Sequence, residues 1–214
     1  MIAIEANVQP PPSRRGDPVW DLALLYPPQG EWKEEEFLAL RTKRMSELSD
    51  GCLEVLPVAT LFHQLVVQYL FRVLDDYVRS RNLGAVATAP VPVRLAPGKL
   101  REPDVFFVRP ERVPSSRRPP EGADLVIEVL SEGDENRDRD LVTKRREYAE
   151  ASVPEYWMVD PERKTITILY LTDESGEYAL HGEFAAGSIA TSNLLEDFSV
   201  EVTALFSAAS VLPR

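Results

Sequence analysis

The longest regular pattern of apolar positions runs from residue 60 to about residue 82, where Phe62, Leu65, Val66, Tyr69, Leu70, Val73, Leu74, Tyr77 and Val78 recur every three or four residues. This spacing predicts an amphipathic helix, with Gln64, Gln68, Arg72, Asp75, Asp76 and Arg79 on its polar face. Elsewhere the pattern is shorter and strand-like. Residues 45–56 form two alternating runs around Asp50-Gly51, a dipeptide suited to the left-handed conformations of a hairpin turn. Glu47 falls on the first of these strands, with Leu48 on the opposite face. The runs Pro103-Asp104-Val105-Phe106-Phe107-Val108 and Asp124-Leu125-Val126-Ile127-Glu128-Val129-Leu130 read as buried strands. So do residues 154–160 and 164–171, joined by a turn at Asp160-Pro161-Glu162-Arg163. A helix predicted over residues 137–151 separates the Glu128 strand from the Tyr156 strand and implies a βαβ crossover. Residues 85–95 read as one strand interrupted by Pro90 and Pro92, which suits an edge or a bulge. A short helix with an acidic first turn is expected over residues 31–40, and a closing helix over 200–209.

Length and composition set the frame for these elements. The chain has 214 residues, 44% of them hydrophobic, enough for one compact domain over residues 31–210. Residues 1–30 hold Pro10-Pro11-Pro12, Pro18 and Pro27-Pro28 among few apolar residues and read as an arm. The single cysteine, Cys52, excludes an intrachain disulfide and a cysteine zinc site, and fits a reducing, cytoplasmic home. The N-terminal stretch lacks the pattern of a secretory leader, and no apolar run is long enough to span a bilayer, so no membrane association is expected. A net charge of −11 opposes nonspecific adhesion to nucleic acid, and any contact with it must be local.

Two acids stand out because each interrupts an apolar strand. A carboxylate in such a run costs several kcal/mol unless a cation, a hydrogen-bond network or an open strand end compensates it. For Asp104 or Glu128 alone, a solvated strand end is the ordinary explanation. Taken together they match the way Mg²⁺ is held, by one or two carboxylates plus water and substrate phosphates. On the predicted crossover helix Asp140, Lys144 and Tyr148 stand at i, i+4 and i+8, along one face. Lys144 is thereby placed between an acid and a phenol, unless it makes only an exposed ion pair. His63, at the start of the long helix, reads as a structural or capping histidine, since no second histidine supplies metal-ligand spacing. The loop over residues 109–123 carries Arg109, Arg112, Arg117 and Arg118, which suit either a phosphate backbone or plain solvent. No glycine-rich phosphate loop and no Ser/His/Asp arrangement is present.

The order of these motifs resembles a known family. Glu47 before Asp50-Gly51, Phe62-His63-Gln64 opening a long helix, Pro103-Asp104, Glu128 ending an apolar strand, Asp140 to Lys144 to Tyr148, and Pro154-Glu155-Tyr156-Trp157 together are similar to the Uma-two family of putative restriction-endonuclease-like proteins, over about residues 25–206. The resemblance implies an α/β, restriction-endonuclease-like PD-(D/E)XK fold: a central mixed sheet flanked by helices, with added hairpins. It implies metal-dependent hydrolysis of phosphodiester bonds in DNA. Asp104, Glu128 and Glu47 would hold Mg²⁺ or Mn²⁺, with Asp104, Glu128 and Lys144 catalytic, and Asp140, Tyr148 and His63 supporting. Arg109, Arg117 and Arg118 would meet nucleic acid. Leu130 stands where the broader superfamily has its lysine, and Lys144 would supply that charge instead. A homodimer is expected, with the exposed tail after Gly176, its short strands and the apolar stretch Val200 to Leu205, as a self-complementary surface. The alternative is a catalytically weak or inactive nuclease-fold module for DNA binding or protein interaction.

Overall fold

The computed structural model describes residues 26–40, 45–130, 139–172 and 176–209, with only the backbone described at 139–141. In chain order the elements are α1 (Glu34–Ala39), β1 (Ser46–Ser49), β2 (Cys52–Val55), α2 (Leu61–Ser80), β3 (Ala85–Thr88), β4 (Val93–Ala96), β5 (Lys99–Arg101), β6 (Val105–Val108) and β7 (Leu125–Val129). Then follow a wide helical turn (Arg139–Lys144), α3 (Arg145–Glu150), β8 (Glu155–Asp160), β9 (Thr165–Leu171), β10 (Tyr178–Ala185), β11 (Ile189–Thr191), β12 (Ser199–Glu201) and α4 (Val202–Ala209).

A six-stranded mixed sheet with the order β10-β9-β8-β7-β6-β3 forms the centre. All neighbours are antiparallel except β7 and β8, which are parallel, and the chain joins them through α3. This is the βαβ crossover expected from the sequence. Successive side chains of a strand point to opposite faces, so β7 sorts itself by parity. Leu125, Ile127 and Val129 pack with Val66, Leu70, Leu74 and Val78 of α2 and with Leu205 and Phe206 of α4. Val126 lies on the other face with Tyr148 and Tyr156. Thr60 caps α2, its Oγ1 accepting from the His63 backbone N–H at 3.1 Å, a cap that contributes about 1 kcal/mol.

A second, four-stranded antiparallel sheet, β2-β1-β5-β4, stands beside the first. Asp50 (φ 50°) and Gly51 (φ 77°) make the hairpin turn predicted from their sequence. Gly51 is obligatory for a further reason: a Cβ there would lie 2.5 Å from the Gly30 carbonyl oxygen. Gly30 and Trp32 donate to the Gly51 carbonyl, and Gln29 bonds both backbone groups of Leu53. Residues 29–32 are thus sewn to the hairpin, and Trp32 joins Phe37, Leu48 and Leu100 in a small apolar cluster. The rest of the Pro-rich arm, residues 1–25, lies outside the described residues.

Two expectations need correction. Residues 85–95 are not one interrupted strand: β3 edges the central sheet and β4 edges the second, with Pro90 and Pro92 in the passage between them. The proline pair, which cannot feed a ladder, marks a change of sheet. The tail is exposed only in part, with Leu180 and Ile189 open to solvent. Val200, Val202 and Leu205 are buried against α2 and the sheet, so they cannot form the expected self-complementary dimer patch. No described helix is long and apolar enough to cross a membrane.

Candidate active site

The register of β6 against β7 pairs Val105 with Ile127, which sets Asp104, the residue before β6, at the carboxyl end of β7. There the Val129 N–H donates to Asp104 Oδ2 at 2.8 Å. A cavity of about 350 Å³ opens at this end of the sheet, lined by His63, Glu102, Asp104, Glu128 and Lys144 among others. Ligand sites in open α/β sheets collect at the carboxyl ends of parallel strands, here β7 and β8.

Lys144 ends the wide turn, where hydrogen bonds of the i→i+5 type give way to α3. Its ammonium is 2.9 Å from Glu128 Oε1 and 3.8 Å from Glu47 Oε1. Tyr148, one turn on and on the same face, donates its hydroxyl to the same Glu128 oxygen at 2.6 Å. Burial, reinforced by the charges of Glu128 and Glu47, raises the Tyr148 pKa well above the usual phenol value, so the hydroxyl stays a donor. Lys144 and Tyr148 thus converge on one oxygen of Glu128, and Tyr148 orients that carboxylate rather than the lysine. The side chain of Asp140 lies outside the described residues.

His63 is not the cap of α2, which is Thr60, and its side chain turns to the site. Its Nε2 is 3.2 Å from Asp104 Oδ2 and 3.2 Å from the Val129 carbonyl oxygen. Burial disfavours the imidazolium, yet the hydrogen bond and charge of Asp104, with help from Val129 and Glu128, outweigh it and raise the His63 pKa. Its Nδ1 is buried without a hydrogen-bond partner.

Behind the cavity stands a buried ionic cluster that sequence reasoning missed. Glu47 and Glu54 face each other across β1 and β2, a like-charge pair that destabilises a hairpin unless neutralised. Arg101 neutralises it, with Nη1 at 3.0 Å from Glu47 and 3.1 Å from Glu54. The same guanidinium forks onto Glu147 of α3 through Nε (2.8 Å) and Nη2 (2.9 Å). Lys99 adds a second cation on Glu147 at 3.1 Å. Burial opposes the Glu147 carboxylate, but Arg101 and then Lys99 hold its pKa below the ordinary value. Glu47, expected to help hold metal, instead accepts from Arg101 and, through Oε1, from the Glu102 N–H at 3.1 Å.

Glu102 was also missed. It is 8% exposed, and its Oε2 is buried with no hydrogen-bond partner. Burial, followed by the charge of Glu47 and against the backbone N–H of Ser46, pushes its pKa up to about 7. The usable signal was the position of Glu102 two residues before Asp104, since residues i and i+2 of an extended segment share a face. Other buried acids are explained by structure. Glu155 accepts from Trp157, Ser192, Asn193 and Leu194, and Asp160 caps the turn at Glu162 and Arg163.

The arginine loop does not reach this site. Asp104 precedes β6 and Arg109 follows it, so the loop begins about 17 Å away at the other end of the strand. There Arg109 and Arg112 pair with Asp124, whereas Arg117 and Arg118 are exposed. Among the described residues no three His, Cys, Asp or Glu side chains are already drawn together as a metal cluster. The donor set nevertheless fits a hard divalent ion: Glu102, Asp104 and Glu128 offer carboxylate oxygens to one cavity, and Glu102 Oε2 lacks compensation.

Comparison with known proteins agrees with the fold. The chain matches the family model Uma2, described as "Putative restriction endonuclease", over residues 34–203. It belongs to that family. Among solved structures, one described as a putative nuclease from Anabaena variabilis superposes with a TM-score of 0.66 at 15% identity, covering 83% of this chain and 99% of its own. That likeness shows a shared fold with a central mixed sheet, and the restriction-endonuclease-like description of that fold comes from the family. Comparison with curated proteins gives no match.

Proposed function

We propose that this protein is a metal-dependent endonuclease that hydrolyses phosphodiester bonds in DNA. The observation that carries the reading is the meeting of Asp104, Glu128 and Lys144 in one cavity, from two strands and the crossover that follows them. Asp104 and Glu128 would hold Mg²⁺ or Mn²⁺, which when bound supplies water activation and offsets charge on phosphoryl oxygens. Glu47 stands behind, holding Arg101 and facing Lys144.

The chain's own residues then divide the work. Lys144, 3% exposed and held in place by Glu128, sets a fixed positive charge beside the reacting phosphate, where a preorganised charge acts mainly on the transition state. Tyr148 fixes the Glu128 carboxylate in one orientation, and His63 does the same for Asp104. The first turn of α2 also lines the cavity, and its positive dipole end favours phosphate. Leu130, 5% exposed, lines the cavity without a charge, so Lys144 replaces the superfamily lysine from the next element. The exposed single Cys52 fits a cytoplasmic protein.

The test is single-turnover cleavage of a DNA duplex with Mn²⁺. Lys144→Ala is expected to lower the rate by roughly a hundredfold or more while Mn²⁺ affinity changes little. Lys144→Arg should also be impaired, because a planar guanidinium does not replace a compact ammonium in a closed pocket. One observation favours a second reading: the Glu128 carboxylate is already paired with Lys144, which suits a non-catalytic binding module. Wild-type protein that binds the duplex but leaves it intact with Mn²⁺ would establish that reading instead.

A further inference from the structure

Glu102, Asp104 and Glu128 line the cavity, with Glu47 behind it, and the four acids are not compensated alike. Glu47 has Arg101, Glu128 has Lys144 and Tyr148, and Asp104 has His63 and the Val129 N–H. Glu102 appears in none of the ion pairs of the described residues. It lines the cavity, is 8% exposed, and carries a buried oxygen without a partner. A buried carboxylate left in that condition costs several kcal/mol, so native structures pair it, protonate it or give it a cation.

The local chain geometry says which. Glu102 and Pro103 carry the chain from the end of β5 to a bend at Asp104, just before β6. Arg101 turns to the ionic cluster with Glu47 and Glu147, while Glu102 and Asp104 both line the cavity. Pro103 between them fixes its own φ and restricts Glu102 before it. Pro103 thus limits the backbone between two carboxylates that both line the cavity, an arrangement suited to a shared oxygen-loving cation. The contrast with Glu155 is informative, because that acid, 0% exposed, is filled by four protein donors and has no room for an ion.

We propose that Glu102 is a third carboxylate ligand of the cavity, completing with Asp104 and Glu128 the site for a divalent cation. The inference rests on the nuclease reading above and adds to it a residue that reading does not require. A third carboxylate brings the charge of the donor set above what two acids supply. It also ties metal occupancy to the second sheet, because Glu102 follows β5 directly and its N–H is bound by Glu47 of β1.

The experiment is titration of the full chain with Mn²⁺, reading free Mn²⁺ by electron paramagnetic resonance and thermal unfolding in parallel, without substrate. Glu102→Gln keeps the shape and removes the charge. It is expected to weaken Mn²⁺ binding at least tenfold and to shrink the metal-induced rise in Tm, while the metal-free Tm does not fall. Glu102→Asp, which keeps the charge but shortens the arm, should weaken binding less than Glu102→Gln and guards against a folding defect in the latter. Glu121→Gln, at the far end of the sheet, should bind as wild type. Equal Mn²⁺ affinity in wild type and Glu102→Gln, with Asp104→Asn impaired, overturns the assignment of Glu102 and leaves the nuclease reading standing. Absence of Mn²⁺ binding by the wild type overturns both.

Discussion

Helices α2 and α3 cover opposite faces of the same sheet, and α3 adds charged hydrogen bonds to the apolar packing of Tyr148. α2 is 20 residues long and lays Val66, Val67, Leu70, Leu74 and Val78 against apolar strand residues. α3 is only six residues long, and its contacts include an Arg101 fork onto Glu147, the Lys144 and Tyr148 bonds to Glu128, and an Arg145 bond to the Tyr178 carbonyl. Burial of five aliphatic side chains stabilises α2 with little demand on direction, at roughly 1.5–3 kcal/mol for each before entropy is counted. Charged hydrogen bonds stabilise α3 less reliably but fix direction to fractions of an ångström. The scaffold face is therefore forgiving and the site face is exacting.

The largest expected break in this comparison is Arg101→Ala. It would leave Glu47, Glu54 and Glu147 without their shared cation, a loss of about 3–5 kcal/mol in urea unfolding. Leu74→Ala on the other face should cost about 2–5 kcal/mol through lost burial and a residual cavity. Acid separates the two. Because Glu147 has a depressed pKa in the fold, its stabilising contribution is complete above its ordinary value of 4.5 and is lost as pH falls through the lower folded value. The stability difference between wild type and Glu147→Gln should therefore shrink as pH drops from 7 to below 4.5, whereas the Leu74→Ala deficit should not follow that titration. Smallest is Tyr148→Phe, which removes one hydrogen bond to a charged oxygen and should cost about 1.5 kcal/mol in the same assay.

The same division explains what could be seen in the sequence. Period and parity revealed α2, the β1–β2 hairpin, the strands bearing Asp104 and Glu128, and the crossover between β7 and β8, because apolar burial repeats along the chain. Lys144 and Tyr148 were visible through their spacing of four. Arg101, Glu102 and Glu147 were not, since their partners lie 46 or more residues away for Arg101 and Glu147, and an isolated charge carries no period. Pro90 and Pro92 signalled an interruption without telling that the chain changes sheets there. The basic loop was read by composition alone, which says nothing about which end of a strand it leaves from.

The alternation along β7 also bears on how the chain avoids mistakes while folding. A slip of β7 by one residue against β6 would exchange its two faces and drive the Glu128 carboxylate into the aliphatic layer under α2. Val126 would move with it, but valine is indifferent to the exchange and the acid is not. An ionised group stranded there, away from Lys144 and Tyr148, carries a penalty of several kcal/mol. A strand made only of Leu, Val and Ile would have no such proofreading, so the residue that serves the site also rejects the wrong pairing.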